Sequence, residues 1–164
     1  MIPDYVFKNI INNPYLPDPR LASPLTQVRL SSYYDPTANG EYSKGRDHDF
    51  IGWKQALILC WARDYMVKTP AIVKLTIPKD AEVVFTKHKC RASYAKVEAI
   101  YPCDPLFTEN TEPLDEPFAI SYHDYKFRYT PGEKVFPDEF DRNPNAVCSH
   151  GIHFFRHYGE AYDY

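Results

Sequence analysis

Glycine is scarce in this chain, with only 6 in 164 residues, against 15 prolines. That balance argues for connections stiffened by proline rather than for flexible tethers. Nor is there a surplus of positive charge: 19 Lys and Arg against 22 Asp and Glu leave a net charge of -3. A bulk electrostatic case for nucleic acid or an anionic membrane is thereby removed, and neither is expected as a partner. Long hydrophobic runs are missing too, because the longest, residues 56–62, is far too short to cross a bilayer. The four cysteines, Cys60, Cys90, Cys103 and Cys148, contain no C-x-x-C pair and no spacing typical of zinc modules. No charged-then-apolar leader opens Met1-Ile2-Pro3-Asp4, so an unsecreted protein with reduced thiols is the expectation.

What the chain does have is apolar and aromatic material. Hydrophobic residues make up 44%, and 14 Tyr, 10 Phe and 2 Trp bring the aromatic share to 16%, enough for one packed core. Asp4 followed by Val6, Phe7, Ile10 and Ile11 predicts a short amphipathic helix stopped at Asn12-Asn13-Pro14. Prolines at 14, 17, 19 and 24 then predict an extended arm, which either reaches a partner or packs on its own domain. Residues 1–49 are accordingly read as a helix and proline-rich arm, and residues 50–164 as a single domain.

Residues 25–34 alternate enough for a strand before the Asn39-Gly40 turn, and 41–49 read as a polar loop. Trp53, Ala56, Leu57, Cys60 and Trp61 fit the i, i+3, i+4, i+7, i+8 spacing, which predicts a helix over 53–65. Ile58 and Leu59 widen its apolar surface, so that helix is buried on most sides or the period is not helical. Residues 71–77 and 81–86 predict a hairpin about Pro78-Lys79-Asp80. The basic cluster 87–91 reads as a solvated turn, and the acidic, proline-bearing stretch 102–117 as a surface excursion with little to bury. Strands follow over 118–129 and 134–136, separated by the Pro131-Gly132 turn. The fold class expected is α+β: a mainly antiparallel twisted sheet of about five to seven strands, one packed helix, and the N-terminal arm.

Reactive side chains are densest in residues 148–155, Cys-Ser-His-Gly-Ile-His-Phe-Phe. Read as a strand, Cys148, His150, Ile152 and Phe154 share one face, and Ser149, His153 and Phe155 the other. The two histidines then diverge, which argues against one metal held by Cys148, His150 and His153. Gly151 marks a bulge or a close approach of backbone. Cys148 and His150, with Cys90 as a possible third member, are the residues with the right chemistry for a metal or an activated thiol; burial as small apolar groups is the structural alternative. No metal and no cofactor are assigned.

Two sets of blocks resemble a known family. Ile-Val-Lys-Leu-Thr-Ile-Pro at 72–78 and Lys-Cys-Arg-Ala-Ser-Tyr-Ala-Lys-Val at 89–97 form the first; Cys-Ser-His-Gly-Ile-His-Phe-Phe at 148–155 with Glu160-Ala161 closes the second. They are similar to an uncharacterised domain of large DNA viruses and phages that often follows pentapeptide repeats. The resemblance carries no activity with it; together with the four-proline arm, the aromatic excess and the lack of a convergent catalytic set, it leads to the expectation of a non-enzymatic protein-interaction module, a minor virion or capsid-associated component, in the virion or the host-cell cytoplasm. Its partners would be other viral proteins met through the N-terminal arm. No five-residue repeat precedes the domain here. A weaker likeness, Tyr-Thr-Pro-Gly-Glu at 129–133 followed by Gly-Ile-His-Phe-Phe at 151–155, resembles compact ADP-ribosyltransferases. It implies the alternative, a nicotinamide-dinucleotide-binding enzyme with His123, Tyr125, His153 and Glu160 as catalytic candidates.

Overall fold

The computed structural model describes Tyr33, Tyr34 and residues 40–164 other than His88; of Tyr33, Tyr34 and Cys148 only the backbone is described. The expected helix and proline arm lie outside the described residues, as does most of the strand expected over 25–34. In chain order the described strands are β1 (Tyr33–Tyr34), β2 (Glu41–Lys44), β3 (Phe50–Ala62), β4 (Tyr65–Ile77), β5 (Glu82–Phe85), β6 (Cys90–Ala92), β7 (Ala95–Pro102), β8 (Ala119–Ile120), β9 (Arg128–Tyr129), β10 (Lys134–Val135), β11 (Ala146–Cys148) and β12 (Ile152–Phe154). One short helix, α1 (Tyr158–Asp163), follows them.

Every pairing among the described strands is antiparallel, and these strands divide among three sheets rather than one. Six strands run in the order β10-β7-β4-β3-β8-β9, four in the order β12-β6-β5-β2, and β1 pairs with β11. The predicted helix over 53–65 is therefore overturned. Residues 50–62 are a strand paired with β4 at every position from Phe50↔Ile77 to Ala62↔Tyr65. The reason is burial on both faces: a central strand loses the polar-apolar alternation, and a continuous apolar run mimics a helix face. Ala56, Leu57 and Ile58 are buried one after another, which a strand flanked by two covered faces allows.

The predicted hairpin between 71–77 and 81–86 is also corrected. Both segments are strands, but β4 pairs with β3 and β7, while β5 pairs with β2 and β6. Pro78-Lys79-Asp80 is thus a corner between sheets, closed by the Ala81 N–H donating to the Pro78 carbonyl at 3.0 Å. Glu41–Lys44, read as loop, is the edge strand beside β5. The strand expected over 118–129 is broken by a turn between β8 and β9.

The core lies between the two larger sheets and joins Val73, Leu75 and Ile77 of β4 to Val83 of β5, Val97 of β7 and Phe154 of β12. Each such fully buried aliphatic side chain contributes about 1.5–3 kcal/mol by leaving water. At Gly52 the sheets approach so closely that a β-carbon would lie 2.8 Å from the Phe154 ring. A second cluster gathers Ile72, Phe155 and Ala161. Beside it Trp53 meets Phe107 and Tyr158 edge-on at 5.4 and 5.5 Å, and Phe107 stacks on Tyr158 at 3.8 Å. The 102–117 excursion is therefore pinned: Phe107 enters this cluster, and the Leu114 N–H donates to Ile100 at 2.8 Å. Beyond the sheet, the β3–β4 ribbon ends in a tip where Trp61, Tyr65 and Met66 are 72%, 65% and 48% exposed.

The basic cluster is not a solvated turn throughout. Arg91 is fully buried and spreads its guanidinium over the 141–146 loop, donating to the carbonyls of Asp141 (2.9 Å), Asn143 and Ala146. A planar donor fork satisfies several carbonyls of an irregular loop at once, which a lysine could not do.

Candidate functional site

β3 has an interrupted neighbour on one side. At Trp53 it exchanges two backbone hydrogen bonds with Phe155, 2.8 and 2.7 Å, and at Leu57 it pairs with Ile120 of β8. Between those two contacts no described strand pairs with β3 on that edge, and a small cleft opens there. Its wall includes Lys54, Lys89, Ser121, Tyr122, His123, His153, Phe155 and Tyr164. About 20 Å³ of it accepts water centres, room for one or two waters or one small polar group.

Each element positions its residue for a local reason. Lys54 comes from the central strand, held in register opposite Val73. Ser121 to His123 follow the two-residue β8, whose pairing ends at Ile120 and releases the chain into a turn. His153 is the middle residue of β12, whose neighbours Ile152 and Phe154 face the core, so the alternation of a strand turns the imidazole the other way. Phe155 packs against Tyr164 at 5.1 Å. Lys89 donates to the Tyr164 hydroxyl at 2.9 Å, with its ammonium 4.8 Å from that ring.

The electrostatics are one-sided. Two lysines and two histidines line it together, and no Asp or Glu is among the described lining residues. Burial, and then the Lys89 charge, bring Lys54 down to about 7. Its nitrogen lies 5.8 Å from the Tyr129 ring, and no acceptor among the described residues bonds it. His153 is held well below the usual histidine range by desolvation, then by Lys89 and Lys54. Its Nε2 is buried without a hydrogen-bond partner among the described residues. His123, exposed at the rim, is lowered by desolvation and by the same two lysines. Such a cleft attracts an anion, offers an uncharged amine, and holds two neutral imidazoles able to accept or relay a proton.

Of the residues nominated from sequence, His123 and His153 meet here. Tyr125 lies elsewhere, half exposed with the Lys68 ammonium 3.7 Å from its ring centre, and Glu160 sits 3.9 Å from His157. The tail histidines do diverge: His150 is exposed, 3.9 Å from Glu139. The 148–155 stretch is not one strand, because residues 149–151 turn between β11 and β12. Cys90 is buried in the core, its thiol pushed up by desolvation and 3.8 Å from the Thr86 carbonyl, so it is a poor nucleophile. Among the described residues no three His, Cys, Asp or Glu side chains are grouped to hold a metal; the Cys148 side chain is outside them.

Sequence reasoning missed Lys54, Lys89, Ser121 and Tyr164. A usable signal existed for the first: Lys54-Gln55 is the sole polar pair between Phe50 and Ala62, in the middle of an apolar strand.

No curated protein and no solved structure matches the chain. Residues 41–161 match a family of unknown function (DUF5758), which begins at β2 and ends within α1. That span holds the two larger sheets and all of the cleft but Tyr164, and the chain belongs to this family.

Proposed function

We propose that this domain is a non-enzymatic binding module that recognises an oxyanion, a phosphate or carboxylate group carried by its partner, in the cleft beside β3. The observation that carries this reading is that Lys54, Lys89, His123 and His153 line one cleft with no carboxylate among its described lining residues. Lysine ammonium groups draw anions into a partly enclosed cleft, and the described lining residues offer no carboxylate to oppose this. The buried His153 Nε2, without a partner among the described residues, supplies one donor once protonated or in the fitting tautomer, and the Ser121 hydroxyl supplies another.

The setting that fits the sequence blocks is a large DNA virus or phage, with another viral protein carrying the anionic group. The dinucleotide alternative draws less from the geometry, since His123 and His153 share the cleft while Tyr125 and Glu160 stand outside it.

Histidine NMR during titration with inorganic phosphate, and separately with acetate, tests the reading. Signals of His123 and His153 move together and saturate, while His150 stays still; Lys89→Met weakens the effect. Spectra indifferent to both anions end it.

A further inference from the structure

The same cleft contains an amine with unusual surroundings. Lys54 lines a cleft with no acid among the described residues of its wall, and no described acceptor holds its nitrogen. The Tyr129 ring lies 5.8 Å away, and Tyr129 itself is buried. Lys89, the second lysine of the lining, donates to the Tyr164 hydroxyl at 2.9 Å. A lysine partly withdrawn from water and lining a cleft with a second lysine releases its proton more readily and becomes a nucleophile. The value of about 7 for Lys54 agrees with that environment.

We propose that Lys54 captures the carbonyl carbon of a small oxo acid as an imine, with Lys89 holding the ligand's carboxylate. This deepening rests on the oxyanion reading above and names the ligand class: an aldehyde or ketone next to a carboxylate, small enough for the cleft. The Lys54 lone pair attacks the carbonyl carbon as the C=O π pair moves to oxygen. One amine hydrogen passes to that oxygen, giving a carbinolamine. The second follows as the C–O bond breaks, and water leaves. Nothing is oxidised or reduced. His153, neutral and buried with Nε2 unpartnered among the described residues, is placed to relay those protons. Hydrolysis reverses the capture, so the ligand is held covalently but not permanently.

Glyoxylate with sodium cyanoborohydride tests this on the full chain, read by intact mass and peptide mapping. One reduced adduct per chain is expected, located at Lys54, suppressed by inorganic phosphate and by prior unfolding in urea. Acetaldehyde, which lacks the carboxylate, labels Lys54 at least several-fold more slowly. Lys54→Arg loses the adduct, and its far-UV spectrum checks that it folds. Labelling spread over surface lysines as in the unfolded chain overturns the proposal, as does a Lys54 adduct indifferent to phosphate. If the histidine signals respond to phosphate and no Lys54 adduct forms, the imine is wrong and the oxyanion site stands.

Discussion

Gly151 lies against the side chain of Arg91: a β-carbon added to it would stand 2.9 Å from the Arg91 β-carbon, and its φ is 153°. Both the space and the backbone conformation exclude a side chain there. Gly151→Ala is expected to lose about 1–3 kcal/mol of stability, through crowding and backbone strain together. Urea unfolding checks this against Gly132→Ala, where φ is also positive but nothing lies within 4 Å of the added carbon, and the loss is smaller.

Arg91 satisfies three carbonyls of the loop that precedes β11. Arg91→Met leaves those acceptors without their donor in a buried place, an expected loss of about 3 kcal/mol. Limited proteolysis gives a second readout: cleavage within 138–147 appears in the variant and is absent from the parent.

Stability should rise with pH in two windows, both set by bases whose folded pKa is depressed. Below about 6.5, the ordinary histidine value, the unfolded chain binds protons that folded His153 refuses, so stability falls as the pH drops. Between about 7 and 10.5 the unfolded chain likewise holds a proton that Lys54 has released in the folded state, so stability climbs through that range. Thermal melts across pH show the assignment: Lys54→Met flattens the upper window, and His153→Gln flattens the lower. A Lys54→Met curve with the parent's slope above neutrality contradicts it.

Trp53 and Trp61 lie eight residues apart on one strand and have opposite surroundings. Trp53 packs among Tyr101, Phe107 and Tyr158, whereas Trp61 is 72% exposed at the ribbon tip. Iodide should quench the fluorescence of Trp53→Phe, in which only Trp61 emits, and leave Trp61→Phe largely unaffected. Trp61→Ala should change stability by no more than about 0.5 kcal/mol, while Trp53→Ala removes an aromatic anchor and costs about 3 kcal/mol.

Sequence carried much of this fold, and its failures have causes. Residues 71–77 announce a strand because Ile72, Val73 and Ile77 are β-branched, and β4 does run through them. The 53–65 stretch misleads because Ala56, Leu57 and Ile58 are buried in succession, which erases the period that separates strand from helix. Strand partners were the larger gap. β4 and β5 are neighbours in sequence and belong to different sheets, and local pattern does not say where a corner between sheets falls. Gly151 was readable as a close approach, though not that Arg91 is what approaches. His123 and His153 were nominated on a family likeness; that they share a wall follows from the pairing break beside Lys54, which depends on contacts between distant parts of the chain.

That break also ties the cleft to distant parts of the chain. Its two rims are fixed by Ile120 and by Phe155, and Tyr164, the residue after α1, adds a further wall. No single sheet therefore builds the cleft, and a change in how α1 seats would alter the surroundings of Lys54 while leaving the pairing of β3 with β4 untouched.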